Sequence, residues 1–185
     1  MPSIRSTPVE ACLIPRRGQI LTVLPPGRPD LFEQARRITH ILSVLDFDIY
    51  EAGHFSKYKH LMLRVDDDPN ENLLKHFKET NAFIEAALAG NGGVFVHCAM
   101  GKSRSATIVC AYLMHKYRIS PESALKQLCE GRPVCSPNPG FMEQLEVYAK
   151  MLQAANDEEL YERWLKERFT GDAWTWDNRR RDAKL

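Results

Sequence analysis

Apolar residues along the chain occur either in short continuous runs or in longer stretches with helical spacing. The short runs Ile41–Leu45, Leu61–Val65 and Val94–Val96 have the length and composition of buried strands. The longer stretches predict helices over Asp30–Arg37, Glu71–Leu88, Ser103–Tyr117 and Phe141–Leu152, with a further helix that has Ser120 as N-cap and Pro121 in its first turn. Strands that alternate with helices predict an α/β fold, with a central mixed or mostly parallel sheet flanked by helices.

The pattern changes after Asn156, where charged residues dominate and a helical stretch begins at Asp157. Residues 156–185 contain all three tryptophans of the chain, Trp164, Trp174 and Trp176. This concentration of indole side chains indicates packing against the main domain or a partner, and a partly ordered tail is the alternative. We therefore expect a domain over residues 1–155 and a charged C-terminal extension or linker over residues 156–185.

Composition excludes few classes of protein. The 185 residues include 44% hydrophobic and 26% charged residues, which is typical of a globular domain. The net charge of +1 gives no bulk basic excess that would indicate direct nucleic-acid binding. No apolar run has the length of a membrane span, and the first 18 residues lack the apolar stretch of a secretory signal. We therefore expect no membrane association. We also expect a monomer, because the sequence shows no long apolar stripe beyond what one core uses.

The cysteines point to a reducing compartment. There are five of them, with no C-x-x-C pair, so neither a disulfide framework nor a structural zinc site within this chain is expected. The expected location is therefore the cytoplasm, the nucleus or both.

The segment between the strand at Val94–Val96 and the helix after it contains the candidate chemistry. Its sequence is His97-Cys98-Ala99-Met100-Gly101-Lys102-Ser103-Arg104-Ser105. A strand–loop–helix connection directs several backbone N–H groups and a helix N-terminus at one anion, and Gly101 allows the backbone to curl. Such surroundings lower the pKa of Cys98 and so favour its thiolate form. The planar guanidinium of Arg104 can donate hydrogen bonds to two phosphate oxygens at once. The segment predicts a phosphate site with a thiolate nucleophile.

This pattern, H-C-x-x-x-x-x-R-S, resembles the signature of the protein tyrosine phosphatase superfamily, and V-H-C-A-M-G-K-S-R-S-A-T is similar to its dual-specificity branch. Arg64–Leu73 resembles the general-acid loop of that branch, in which an Asp stands five residues before Asn-Leu, here Asp67 before Asn72. Ser136–Leu145 resembles the late P-N-x-G-F-x-x-Q-L segment. The resemblance covers about residues 38–152, and the N-terminal part departs from the family's usual opening strand.

The resemblance implies a cysteine-dependent phosphatase for phosphotyrosine and phosphoserine or phosphothreonine in proteins, which uses a phosphocysteine intermediate and no metal or cofactor. Cys98 is the implied nucleophile, Arg104 the phosphate clamp and Asp67 the general acid and base. Ser105 is expected to hydrogen-bond the departing thiolate. The loop residues that are expected to bind the substrate phosphate are Ala99, Met100, Gly101, Lys102, Ser103 and Arg104.

Two supporting residues are also predicted. His97 is expected to orient the loop, or to be a hydrogen-bonded core histidine without a further role. Asn138 is implied to brace the phosphate loop, because it occupies the Asn position of the late segment. Lys102 adds a positive charge that also occurs in phosphoinositide phosphatases of the superfamily, so a lipid substrate is an alternative to a solvated lysine with no substrate role.

The motif set is most similar to a subfamily that has a zinc-binding tail and takes part in assembly of the large ribosomal subunit. A pre-ribosome assembly module with secondary catalytic activity is therefore a second hypothesis, with the pre-ribosomal particle as partner. No cysteine follows Cys135, so this sequence contains no such tail. A catalytically inactive phosphate binder is a third hypothesis, which the presence of Cys98, Arg104 and Asp67 disfavours.

Overall fold

Four parallel strands form the sheet at the centre of the fold. The structure is a computed structural model that describes residues 21–24, 38–47 and 57–182. The strands are β1 (Leu21–Leu24), β2 (Ile38–Val44), β3 (Lys59–Leu63) and β4 (Gly93–His97), in the order β1-β4-β2-β3. The strand β4 lies between β1 and β2, and all five of its residues are buried, so its carboxyl end is flanked by a strand on each side. The predicted α/β class with a mostly parallel sheet is confirmed.

Six α-helices follow or connect these strands in the described part of the chain. They are α1 (Phe77–Ala89), α2 (Arg104–Tyr117), α3 (Pro121–Gly131), α4 (Pro139–Met151), α5 (Asp157–Glu167) and α6 (Ala173–Asp182). The helix α2 is central, since all residues from Arg104 to Met114 are buried. Both α1 and α2 pack on the sheet, α3 and α4 surround α2, and α5 and α6 pack on α4.

The element boundaries differ from the predicted ones where polar residues extend a strand. Both strands begin earlier than predicted: β2 begins at Ile38 because Ile38 pairs with Gly93 of β4, and β3 begins at Lys59 because Lys59 pairs with His40 of β2. β3 is an edge strand whose first two residues are exposed, so its start lacks an apolar signal. The strand β1 was not predicted, and the predicted helix over Asp30–Arg37 lies outside the described residues.

The prediction that a helix begins at Glu71 is wrong. A short 3₁₀ helix over Leu74–His76 precedes α1, and the residues before it form a loop. The side chain of Gln144 on α4 explains the difference. Its Oε1 accepts the backbone N–H groups of Leu73 and Leu74, both at 2.8 Å, and its Nε2 donates to the carbonyl of Glu71 at 2.8 Å. The backbone groups that would begin the helix are thus bonded to α4.

The predicted cap of α3 is confirmed. Ser120 has extended backbone angles and its hydroxyl accepts the N–H of Ser123 at 3.2 Å, with Pro121 at the first helical position.

Among the described residues, no helix has the length and apolar character needed to cross a membrane.

Candidate active site

The candidate nucleophile stands at the carboxyl end of the central strand. Cys98 follows β4 directly, and the loop that starts with it ends at Arg104, the first residue of α2. Gly101 adopts a φ of 62°, a left-handed conformation that residues other than glycine rarely adopt. The loop thereby curls around the N-terminus of α2, which is favourable for an anion.

Hydrogen bonds to Cys98 favour its thiolate form. Its thiol is 1% exposed, and burial alone would raise its pKa. The Ser105 hydroxyl lies 3.2 Å from Cys98 Sγ, and the backbone N–H groups of Ser105, Lys102 and Gly101 also point at the sulfur. Together these donors outweigh burial and lower the pKa of Cys98 below its ordinary value. The structure therefore brings Cys98 and Ser105 together as the sequence predicts.

The guanidinium of Arg104 is held at the mouth of the same loop. The residue is 4% exposed, and Nη1 donates to the carbonyl of Val65 and to Asp46 Oδ1, both at 3.0 Å. Its Nε lies 4.0 Å from Asp67 Oδ2 and has no hydrogen-bond acceptor among the described groups, so this donor is available for a phosphate oxygen.

Asp46 was missed by the sequence analysis. Its carboxylate is about half exposed, and the hydrogen bond from Arg104 is the main reason that the pKa of Asp46 lies below its ordinary value. The available signal was its position just after the buried strand β2, at the edge of the sheet where Cys98 also lies.

The predicted general acid lies at the rim of the loop. Asp67 Oδ1 accepts the hydroxyl of Ser103 at 2.6 Å and Nδ2 of Asn138 at 3.0 Å. Its side chain is 34% exposed, so it is open to a substrate that approaches from solvent. The structure thus joins Asp67, Ser103 and Asn138, which come from three separate segments of the chain.

The segment before α4 supports the phosphate loop from outside. Arg132 Nε donates to the carbonyl of Gly101 at 3.0 Å, and the N–H of Ser136 donates to the carbonyl of Lys102 at 2.8 Å. The N–H of Asn138 donates to the Ser103 hydroxyl at 3.0 Å. These contacts turn the loop carbonyls outwards, which leaves the loop N–H groups free to face an anion.

The side chain of Asn138 has two partners. Its Oδ1 caps α4 by accepting the N–H of Phe141 at 2.9 Å, while its Nδ2 donates to Asp67. Asn138 therefore contacts the acid loop through its side chain and the phosphate loop through its backbone N–H.

His97 lies below the loop in a chain of hydrogen bonds that runs from the core to the edge strand β3. Its Nε2 is 2.7 Å from the Ser43 hydroxyl, which is 2.8 Å from Nε2 of His60, and its ring stacks on Phe95 with centroids 4.9 Å apart. Burial, aided by the nearby His60, lowers the pKa of His97 to about 4. His97 is consequently neutral near pH 7 and faces the sheet interior, an arrangement that suits a structural support.

The remaining predicted binding residues line the outer rim of the loop. Met100 is 65% exposed, Lys102 is exposed and Ala99 is half-buried. Their side chains are therefore positioned to contact the group that bears a phosphate. Within residues 38–47 and 57–182, no three His, Cys, Asp or Glu side chains are grouped so that they could hold a metal ion.

Comparison with known proteins finds phosphatases that are similar in sequence to this chain. The chain is 42% identical over 130 residues to protein phosphatase Slingshot homolog 3 of Homo sapiens, a match over 70% of this chain and 19% of the relative. It is 40% identical over 112 residues to tyrosine-protein phosphatase yvh1 of Schizosaccharomyces pombe, over 60% of this chain and 34% of the relative. The chain thus corresponds to about a third or less of the length of these two proteins.

A solved structure shows the same fold. The Yvh1 phosphatase domain from Chaetomium thermophilum superposes with a TM-score of 0.64 at 37% identity, over 75% of this chain and 94% of that domain. The Yvh1 relatives agree with the subfamily resemblance drawn from the motifs. Residues 28–151 match the family model described as dual specificity phosphatase, catalytic domain. The chain therefore belongs to the dual-specificity phosphatase catalytic-domain family.

Proposed function

We propose that this chain hydrolyses phosphate monoesters on proteins through a phosphocysteine formed on Cys98. The observation that supports this most strongly is the environment of the thiol. Cys98 is buried at the base of a loop whose N–H groups and Ser105 hydroxyl lower its pKa, and Arg104 adds a cation at the loop's mouth. A thiolate among anion-binding donors is suited to attack a phosphorus atom that the same donors hold.

In the first step, the Cys98 thiolate attacks phosphorus while the bond to the leaving oxygen breaks. The loop N–H groups and Arg104 hold the three other phosphate oxygens, over which the negative charge of the transition state is spread. Asp67, in its protonated form, gives its proton to the leaving oxygen, which would otherwise depart as a poorly stabilised alkoxide or phenoxide. The products are a phosphocysteine and the free hydroxyl group.

In the second step, water attacks the phosphocysteine. Asp67, now a carboxylate, takes a proton from the water as the new P–O bond forms and the S–P bond breaks. The Ser105 hydroxyl, 3.2 Å from Cys98 Sγ, donates to the departing thiolate. Inorganic phosphate leaves and both catalytic groups return to their starting states, so the cycle needs no metal or cofactor.

A phosphoprotein is the substrate class that the family and the site favour. The protein phosphatase names of the Slingshot and yvh1 relatives support it, as does the exposed rim at Ala99, Met100 and Lys102. We propose that the site accepts phosphotyrosine and phosphoserine or phosphothreonine. The single loop lysine, exposed to solvent, does not by itself favour a phosphoinositide.

Phosphate release from matched phosphotyrosine and phosphothreonine peptides, with a phosphoinositide for comparison, tests this proposal. Cys98→Ser should abolish turnover on every substrate, whereas the control Cys129→Ser, which alters a thiol bonded to the Cys135 carbonyl, should retain it. Rapid acid quenching of wild type with ³²P-labelled peptide should leave label on the protein. Turnover that survives Cys98→Ser, or a phosphoinositide preferred over both peptides, would contradict the proposal.

We also propose a role in assembly of the large ribosomal subunit, within the cytoplasm or nucleus, because of the similarity to the Yvh1 proteins. Affinity purification of the chain, and separately of Cys98→Ser, should enrich pre-ribosomal particles to the same extent if assembly is independent of catalysis. Absence of such particles from both purifications would remove this second role.

A further inference from the structure

The C-terminal extension contacts the loop that bears the general acid. Residues 168–176, which we call the clasp, connect α5 to α6 and include the first residues of α6. They lie beyond residue 151, where the match to the family model ends. The clasp meets the acid loop at Asn70, three residues after Asp67. A segment outside the family domain therefore touches the part of the site that has to place a proton.

Asn70 makes four hydrogen bonds to the clasp. Its Nδ2 donates to the carbonyl of Gly171 at 2.9 Å, and its Oδ1 accepts the N–H of Gly171 at 2.9 Å and Nε1 of Trp176 at 3.1 Å. Its backbone carbonyl accepts Nη1 of Arg168 at 2.9 Å. Both the side chain and the backbone of this loop residue are thus fixed by the extension.

The clasp is itself ordered by aromatic packing. The indole of Trp176 is 4% exposed and meets the ring of Phe169 edge-on, with centroids 4.9 Å apart. The guanidinium of Arg179 lies 4.3 Å from the centroid of Phe169 and 3.7 Å from the carboxylate of Glu143 on α4. The donors that hold Asn70 therefore belong to a packed unit rather than to separate side chains.

A second contact holds the far end of the acid loop. Nδ2 of Asn72 donates to the hydroxyl of Tyr161 on α5 at 2.9 Å. Within the loop, Asp68 Oδ1 accepts the N–H of Asn70 at 2.7 Å, which connects Asn70 to the residue that follows Asp67. The loop is exposed from Asp66 to Asp68, so its position depends on these anchors together with its contacts to α4 and to the phosphate loop.

We infer that the clasp is a positioning element for general-acid catalysis, which holds the acid loop so that Asp67 meets the leaving oxygen. The inference rests on the proposed role of Asp67. An acid that is displaced by about 1 Å loses much of its effect on a poor leaving group, while a good leaving group departs without its proton. Loss of the clasp should therefore reduce turnover in proportion to the basicity of the leaving group.

A series of aryl phosphates with leaving groups of increasing pKa provides the test. In the full chain, Trp176→Phe removes the hydrogen bond to Asn70 and keeps an aromatic ring, and Asn70→Ala removes the side-chain partner itself. We expect each variant to lower kcat/KM about tenfold for phenyl phosphate and less than about twofold for a nitrophenyl phosphate. Trp174→Phe is the matched control, since Trp174 lies on the same helix and is 73% exposed.

Two further measurements separate the possible failures. Cys98 alkylation and inorganic phosphate inhibition should match wild type in all three variants, because the phosphate loop makes no hydrogen bond to the clasp among the described residues. Asp67→Asn should show the strongest dependence on the leaving group. If Asp67→Asn shows none, the proposed role of Asp67 fails. Asp67→Asn can instead show this dependence on the leaving group while the clasp variants lose activity equally on every aryl phosphate, or lose no activity. In that case only the clasp inference is overturned.

Discussion

Residues of the site are positioned by partners that stand far from them in the sequence. Cys98 obtains its donors from its own loop, but Arg104 is fixed by Asp46 and Val65, and Asp67 is held by Ser103 and Asn138. A buried guanidinium with two fixed acceptors keeps its remaining donors directed at one point. Two consequences can be measured at single residues.

The first concerns the Ser105 hydroxyl, which faces the thiol of Cys98. Ser105→Ala removes the strongest donor to Cys98, so the pKa of the thiol should rise towards its ordinary value. Loss of a hydrogen bond to a charged group corresponds to about tenfold slower alkylation by iodoacetamide near pH 7. The pH dependence of alkylation, with Cys98→Ser to subtract the other cysteines, measures this. An unchanged profile would mean that the backbone N–H groups alone set the pKa.

The second concerns the acceptor behind Arg104. Asp46→Ala removes one of the two groups that orient the guanidinium, so KM for a phosphopeptide should rise several-fold with a smaller change in kcat. Asp46→Asn retains an oxygen acceptor and should recover most of the affinity. Steady-state kinetics of both variants decide the point. A lower KM in both variants would indicate instead that Asp46 competes with phosphate for Arg104.

At the scale of elements, α4 holds the acid loop through residues in its first two turns and its N-cap. Its cap Asn138 bonds Asp67, and its Gln144 holds the end of the acid loop through three hydrogen bonds. Between them, Gly140 lies against the backbone of Pro69, where a Cβ would come within 2.0 Å of the carbonyl oxygen. The acid loop is therefore packed against the first turn of α4 with no space for a side chain.

This close approach gives a prediction for the contact between α4 and the acid loop. Gly140→Ala should displace the acid loop, lower the free energy of unfolding by about 1–3 kcal/mol, and slow turnover of poor leaving groups. Gly90→Ala is the matched control, because its Cβ would make only ordinary contacts from 3.5 Å at a C-cap with φ of −81°. Urea titration and aryl phosphate kinetics compare the two. Equal effects from both substitutions would contradict a specific role for Gly140.

At the scale of the whole molecule, the parallel sheet contains a buried histidine, His97, that the fold keeps neutral. His97 and His60 are joined through Ser43 across β4, β2 and β3, and burial lowers the pKa values of both histidines. Such a network is stable only while its imidazoles are uncharged, so the stability of the sheet is linked to pH.

The sign of this dependence follows from the pKa of His97. In the unfolded chain His97 gains a proton near its ordinary pKa of 6.5, whereas in the folded protein it does so near 4. The stability is therefore fully present above pH 6.5 and decreases as the pH falls towards 4, by up to about 3 kcal/mol. Urea titrations across this range should show the slope in wild type and a shallower one in His97→Gln. Leu113→Ala, which opens a core cavity, should lower stability with the wild-type slope, and a similar slope in His97→Gln would refute the assignment.

The α/β class, the strand–loop–helix around Cys98 and the candidate catalytic residues could all be predicted from the amino-acid sequence. These features are local: strand periodicity, the glycine that permits a left-handed turn, and the fixed spacing from Cys98 to Arg104 all lie within one continuous segment. The motif around Asp67 could also be identified, because the spacing between Asp67 and Asn72 lies within one loop.

The groups that complete the site from distant parts of the chain are visible only in the folded protein. Asp46 contacts Arg104 across 58 positions of sequence, and Gln144 reaches Leu73 across 71, distances over which residue patterns contain no signal. The contact between Asn70 and Trp176 spans 106 positions and depends on how α5 and α6 fold back over α4. Sequence periodicity reports which face of an element is buried, but only packing determines which other element covers it.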